Sequence, residues 1–163
     1  MMSTTRFKAA AVACGVLATA GLSTAVVGEA QQQGPPTGTF RLLQRSRDAK
    51  FRFVDVPPLQ GLRRTPTPGD GAVITGPMRD SAGSKVGRLQ AVFAFTSPKR
   101  GQAQVAATFV LRDGRISASG ADTNARTDEF AVTGGTGRYA GARGTLRVTD
   151  GKRVTAFLFT FMG

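Results

Sequence analysis

Three polar side chains could act on a bound organic molecule: Asp55, Tyr139 and Arg143. Asp55 alternates with Phe51 and Phe53 in a strand-like run, and a carboxylate on an aromatic face is costly unless it is paired or functional. Tyr139 could donate a hydrogen bond to a ligand oxygen, and Arg143 could stabilise a developing enolate or phenolate. Together they predict a site that orients or polarises a ligand oxygen.

Two of these residues also have a structural interpretation. Asp55 could be an exposed strand-end residue beside Pro57. Arg143 could hold a Gly-rich bend against a carboxylate, either Asp128 or Glu129. Asp128 is otherwise expected to act in a turn. The sequence alone leaves these alternatives open.

The elements that must position these residues are β-strands. Apolar side chains recur with a period of two from Thr39 onward, and no window shows an amphipathic helix. Hairpin turns are indicated by Asp113-Gly114 and Asp150-Gly151. About eight strands are predicted, and their closure into a barrel would remove exposed sheet edges. The clearest runs are Lys50–Val56, Val86–Thr96, Gln102–Arg112 and Arg153–Phe161.

A barrel of about eight strands can hold one small ligand when its inward side chains are small. Six phenylalanines on the alternating faces are the candidate ligand-binding residues. The alternative is a filled barrel in which these rings simply pack together as core. The six are Phe53, Phe93, Phe95, Phe109, Phe157 and Phe159.

The chain of 163 residues begins like a secretory signal peptide. Arg6 and Lys8 precede the apolar run Ala9–Val27, and Gly28-Glu29-Ala30 provides small residues at a cleavage site. We therefore expect residues 1–30 to be a signal peptide and the protein to be secreted. A flexible leader at 31–38 and a single barrel domain at 39–163 follow. The Pro-rich connection Pro57–Asp70 could be a lid over one barrel mouth or a plain surface loop.

Histidine is absent and Cys14, the one cysteine, lies inside the apolar run. Cleavage after Ala30 would leave no thiolate nucleophile, no Ser-His-Asp triad and no ordinary zinc site. We expect neither a metal nor a cofactor.

The net charge is +12, and removal of the signal peptide would lower it by one unit. The arginines are scattered and accompanied by one tyrosine and no tryptophan, a poor pattern for nucleic-acid binding. We expect a solvated basic exterior and no nucleic-acid partner, with anionic cell-surface polymers as possible partners.

Three blocks of sequence carry a family resemblance: Phe51–Val56 (FRFVDV), Gly71–Thr96 with ITGPMRDSAGSKVGRLQAVFAFT, and Gly101–Gly163 with GQAQVAATFVLRDGRISASG, FAVTGGTGRYAGARGTLRV and VTAFLFTF. Together they span nearly all of residues 39–163. Within the last block lies the GGTG block, Phe130–Thr145 (FAVTGGTGRYAGARGT). The GGTG block is not a phosphate-binding loop, because neither Gly-Lys-Ser/Thr nor an amphipathic helix follows its glycines. Its glycines indicate positive φ or a close approach of two backbones. In this order the blocks resemble the allene oxide cyclase and dirigent protein barrels.

That resemblance implies an all-β fold, an eight-stranded antiparallel β-barrel with an apolar cavity, often assembled as a homotrimer. It matches Asp55 to the pocket aspartate of dirigent proteins. The glutamate and asparagine with which plant cyclases bind their epoxide have no evident counterpart in Thr39–Val56. The first block therefore follows the dirigent pattern.

The leading hypothesis is a secreted dirigent-like barrel that binds a small hydrophobic or aromatic molecule and steers its cyclisation or coupling without a cofactor. Confinement of a reactive conformer away from water would suffice for such a reaction. One alternative is a non-catalytic basic carrier or cell-envelope-binding module. Another is a cofactor-free isomerase of the cyclase type.

Overall fold

The structure, a computed structural model, describes residues 36–57 and 66–163. The predicted signal peptide, most of the predicted leader and residues 58–65 of the long connection lie outside the described residues. The strands are β1 Gly38–Arg45, β2 Lys50–Val54, β3 Gly71–Arg79, β4 Lys85–Ser97, β5 Gln102–Leu111, β6 Gly114–Asp122, β7 Thr127–Gly137, β8 Gly144–Thr149 and β9 Val154–Phe161. Two 3-10 turns, Ser46–Asp48 and Pro98–Arg100, join β1 to β2 and β4 to β5.

Eight of the strands close into an antiparallel barrel, as the sequence predicted. Each strand from β3 to β9 pairs with the next one along the chain. β1 pairs with β9 along its whole length and meets β3 at Leu43↔Arg79, which completes the ring. No helix in the described part of the chain is long and apolar enough to cross a membrane.

The predicted run Lys50–Val56 forms β2, a ninth strand that lies outside the closed ring of eight. It runs beside the first half of β3, from Lys50↔Thr75 to Val54↔Gly71. β2 ends two residues earlier than the predicted run because the Val56 amide donates to the Asp70 carboxylate (2.9 Å) instead of to a strand.

The period-two pattern creates the core because alternate side chains point into the barrel. On β5, Ala103, Val105 and Phe109 are buried, whereas Gln104 and Ala106 are exposed. The aromatic centre of this core is Phe109, which meets Phe159 edge to face at 4.9 Å and Phe157 at 5.4 Å between ring centroids.

Two glycines of the GGTG block show the close backbone approach and the positive φ that the sequence predicted. A Cβ on Gly135 would lie against the carbonyl oxygens of Tyr139 and Arg115, closer than real Cβ contacts allow. Gly137 has φ +61°, in the left-handed region that favours glycine. The GGTG block therefore packs the start of the β7–β8 connection against the β5–β6 turn.

Candidate functional site

A cavity of about 210 Å³ lies inside the barrel. Alanines create this space, because β4, β5 and β6 place Ala91, Ala107 and Ala118 side by side in one row across the sheet. Larger side chains surround the row on the remaining strands. The apolar lining residues are Ile74, Leu89, Ala91, Phe93, Val105, Ala107, Phe109, Ala118, Phe130, Leu146, Val148 and Phe157.

Five polar residues also line the cavity, all on one side of its mouth: Gln44, Asp122, Asp128, Asp150 and Thr155. Strand pairing explains why they are neighbours. Gln44 of β1 pairs with Thr155 of β9, and the Thr155 hydroxyl donates to Asp150 (3.0 Å) in the β8–β9 turn. Asp128 opens β7 and Asp122 closes β6, on either side of the β6–β7 turn. We call this set the polar arc.

Apolar side chains occupy the opposite side of the mouth. Ile74, Phe93 and Val105 come from β3, β4 and β5, the strands that the polar arc does not use. A bound molecule would therefore meet hydrocarbon on one side and oxygen atoms on the other. Such a two-sided mouth can orient a ligand as well as enclose it.

Asp122 is the carboxyl group of the polar arc with a displaced pKa. Partial burial raises the pKa of Asp122, and the negative charges of Asp128 and Asp150 raise it further. The Asn124 amide, which donates to Asp122 at 2.8 Å, opposes that shift. A carboxyl in this setting retains its proton to higher pH than an ordinary aspartic acid.

The other two carboxylates of the arc accept hydrogen bonds from hydroxyl groups. The Thr123 hydroxyl donates to Asp128 (2.5 Å), and Thr155 donates to Asp150. No group of acidic side chains in the described residues is arranged to hold a metal ion.

Gln44 is the buried member of the arc. It is only 5% exposed, and its Nε2 has no hydrogen-bond partner within the described part of the chain. A Cβ on Gly76 would meet this amide and the carbonyl oxygen of Asp48, so the glycine leaves the space that both groups use. An unsatisfied buried donor costs about 1–3 kcal/mol, and a ligand acceptor would recover part of that.

Three of the six predicted phenylalanines line the cavity: Phe93, Phe109 and Phe157. Phe159 lies in the core against Phe109 and is not among the lining residues. The other two, Phe53 and Phe95, pack against each other outside the lining, with centroids 6.3 Å apart. Ligand contact by any of the six remains a prediction.

The three predicted polar residues do not meet in one place. Asp55 is half-buried just after β2, at the same end of the barrel as the polar arc, but does not line the cavity. Tyr139 and Arg143 lie in the β7–β8 connection at the opposite end. Their roles toward a ligand remain predictions.

Tyr139 and Arg143 differ in environment. Burial raises the pKa of Tyr139, whose ring lies 6.3 Å from the rings of both Phe40 and Phe161. Arg143 is exposed, and its carbonyl accepts the Met162 amide (2.9 Å).

The suggested ion pair between Arg143 and Asp128 or Glu129 is wrong. Glu129 binds Arg147 instead (2.7 Å), because the two residues face each other across the β7–β8 pair. Asp128 accepts from Thr123 at the far end of β7. The expectation that Asp128 acts in a turn is confirmed, although the same residue also lines the cavity.

Sequence reasoning did not identify the polar arc as a unit. One signal was available: Asp122 and Asp128 share the inward parity of Ala118 and Phe130 on their strands. Their position next to a turn favoured a surface role and masked that parity. For Gln44 the only signal was its even spacing from Leu42.

Comparison with known proteins gives a family and a set of related folds. The sequence profile of the family described as Dirigent-like protein matches residues 47–157. No curated protein matches the chain significantly.

Several solved structures share the barrel. A pyocyanin demethylase has a TM-score of 0.61 and 21% identity, covering 76% of this chain and 99% of its own. A pterocarpan synthase dirigent protein has a TM-score of 0.55 and 20% identity, covering 77% and 94%. A Diels–Alderase from Streptomyces koyangensis has a TM-score of 0.55 and 17% identity, covering 80% and 71%.

At these identities the structural similarities establish the fold, and the sequence profile establishes the family. The profile match begins just after β1 and ends halfway along β9, so it takes in β2 to β8 and the whole polar arc except Gln44. The chain belongs to the dirigent-like protein family.

Proposed function

We propose that this protein binds a small apolar or aromatic molecule inside the barrel and steers its cyclisation or coupling without a cofactor. The observation that carries the proposal is the alanine-lined cavity of about 210 Å³ with carboxyl groups along one side of its mouth. A dry apolar cavity of about 150 Å³ accommodates benzene, so this one has room for one or two rings.

The chemistry assigned to the cavity is chiefly confinement. A flexible molecule held in one conformer has already lost the entropy that ring closure requires, and apolar walls exclude competing water. The carboxylates of Asp122, Asp128 and Asp150 would accept hydrogen bonds from ligand hydroxyl groups.

The structural relatives support this class of reaction. They include proteins described as a pterocarpan synthase dirigent protein, an exo-specific intermolecular Diels–Alderase and a cyclase that catalyses a [4 + 2] cycloaddition. A Diels–Alder reaction is a [4 + 2] cycloaddition, which closes a ring. A net isomerisation by cyclisation is the enzymatic form of the proposal.

We further propose that the protein is secreted and assembles as a homotrimer. The signal-like pattern of residues 1–30 supports secretion, and resemblance to trimeric barrels supports a homotrimer.

The cavity can be tested by filling it. Ala107→Leu adds a larger side chain to the alanine row, and we expect the affinity for the fluorescent probe 2-naphthol to fall at least about tenfold. The same change should stabilise the fold by about 1–2 kcal/mol, because methylene groups fill apolar space. Fluorescence titration and thermal denaturation measure the two effects.

Ala106→Leu is the matched control, since Ala106 is the outward-facing neighbour on the same strand. It should change neither quantity appreciably. Equal affinity of the two variants for 2-naphthol would place the probe outside the barrel and contradict the proposal.

A second candidate function rests on a different region. A depression of about 520 Å³, open to solvent, lies against β2–β5 and is lined by Lys50, Lys85, Arg88 and Arg112. Asp48, the acidic residue there, is already paired with Arg79 (3.2 Å). These cations would suit an anionic polymer of the cell envelope, in keeping with a basic carrier module.

A further inference from the structure

The polar arc is a concentration of negative charge in a strongly basic protein. Among the described residues, the three ion pairs involve only Asp48 and Glu129 on the acidic side. Asp122, Asp128 and Asp150 therefore have no cationic partner within that part of the chain, although the net charge is +12.

The basic residues of the neighbouring turns do not neutralise the arc. Arg126, Lys152 and Arg153 are exposed, and none forms an ion pair with the three carboxylates in the described structure. Like charges gathered without compensation raise the free energy of the empty site. A cation placed among them would lower it.

Gln44 provides a second and independent observation. Its Nε2 is an unpartnered polar group in a side chain that is 95% buried and lines the same cavity. A purely hydrocarbon ligand would leave this amide unsatisfied. The cavity therefore contains an unsatisfied hydrogen-bond donor that a polar ligand could pair. This donor lies on the same side of the cavity as the carboxylates.

We propose that the natural ligand is a one- or two-ring apolar molecule that carries a basic nitrogen, with the ammonium group at the carboxylates of the polar arc. The rings would lie on the alanine row, and an oxygen acceptor on the ligand would meet Gln44. This inference rests on the proposed function, because it assigns a substrate class to the same cavity.

Three carboxylates discriminate between ligands by charge. An ammonium group gains their combined attraction, a neutral alcohol gains hydrogen bonds only, and a carboxylate is repelled. The mouth is partly open to solvent, so the attraction should also weaken as salt is added. These properties give tests that need no knowledge of the natural ligand.

The experiment compares three probes of similar size by calorimetric titration of the whole protein: 2-phenylethylamine, 2-phenylethanol and 3-phenylpropionate. At low salt the amine should bind about tenfold more tightly than the alcohol, and the carboxylate should bind most weakly. The affinity of the amine, but not of the alcohol, should decline between low and high salt.

Asp150→Asn tests the assignment to the polar arc. Asparagine can still accept from Thr155 and from a ligand hydroxyl but carries no charge, so the amine should lose severalfold in affinity and the alcohol should lose much less. Asp113→Asn is the control, because it removes one negative charge from the turn at the opposite end of the barrel. It should leave both probes unchanged.

The outcomes separate the two proposals. Equal binding of amine and alcohol, or equal effects of the two asparagine variants, would overturn the cationic ligand and leave the proposed cavity function intact. Failure of all three probes to bind would overturn the cavity function itself, and this inference with it. The salt dependence of the unmodified protein decides the matter even if the Asp150 variant does not fold.

Discussion

Asp122 illustrates how a single residue acquires its properties from its neighbours. An aspartate at the end of a strand is ordinarily an exposed, fully ionised group. Here its side chain turns toward the cavity mouth, where partial burial and the charges of Asp128 and Asp150 favour the protonated form. None of these neighbours is adjacent to it in sequence.

The raised pKa of Asp122 makes the free energy of unfolding depend on pH. The native state binds this proton more tightly than the unfolded chain does. Between the ordinary value of 3.8 and the raised native value, the native state therefore carries more protons, and its stability falls as pH rises through that window. Below pH 3.8 Asp122 is protonated in both states, so this destabilising contribution is absent.

We expect Asp122→Asn to remove this pH-dependent penalty while its side-chain oxygen still accepts from Asn124. The variant should be more stable than the parent at neutral pH, and the two should converge below about pH 3.8. Urea denaturation at several pH values measures the difference. A difference in the free energy of unfolding that stays constant across the pH series would contradict a role for the ionisation of Asp122. The same pH trend in Asp113→Asn would contradict it as well.

At the scale of elements, close backbone contacts fix the two ends of the barrel. At one end, Asp70 accepts from Val56 and Thr67 (2.9 and 2.7 Å), which ties the chain after β2 to the chain before β3. These hydrogen bonds lower the pKa of Asp70. At the other end, the GGTG block packs its backbone against Arg115 of β6.

Gly135→Ala should destabilise the fold by about 1–3 kcal/mol, the usual cost of overpacking a tight site. The new methyl group would face two carbonyl oxygens, those of Tyr139 and Arg115, and backbone can shift little. Thr136→Ala, at the next and exposed position, should cost much less. Chemical denaturation compares them, and an equally small effect of both changes would refute the close approach.

At the scale of the whole molecule, charge is divided between the exterior and the mouth. Most arginines in the described residues are exposed on the outer wall, as the sequence predicted. Arg45 and Arg79 are half-buried, and Arg79 is paired to Asp48. The carboxylates of the arc are gathered at one opening. Long-range attraction to anionic surfaces and local recognition at the mouth can therefore act independently.

We expect the basic exterior to bind anionic resin through its total charge. The pairs Lys85→Glu with Arg88→Glu and Arg115→Glu with Arg138→Glu change the net charge equally, and should lower the eluting salt concentration equally. Cation-exchange chromatography measures this. A distinctly larger loss for the first pair would instead identify the β2–β5 depression as a dedicated anion site.

The sequence by itself determined the fold class, the hairpin turns and the need for glycine at the GGTG block, because these depend on local periodicity and backbone conformation. The period of two marks which residues alternate, and Phe93, Phe109 and Phe157 were identified as cavity candidates on that basis.

Only the tertiary structure decided which of those faces encloses space and which groups share it. The polar arc draws on β1, β6, β7 and the β8–β9 turn, which come together only when the ring closes. Sequence reasoning instead singled out Asp55, Tyr139 and Arg143, which the antiparallel order of the strands sends to opposite ends. Barrel closure brings together residues that are far apart in the chain, and local sequence patterns do not show which of them will become neighbours.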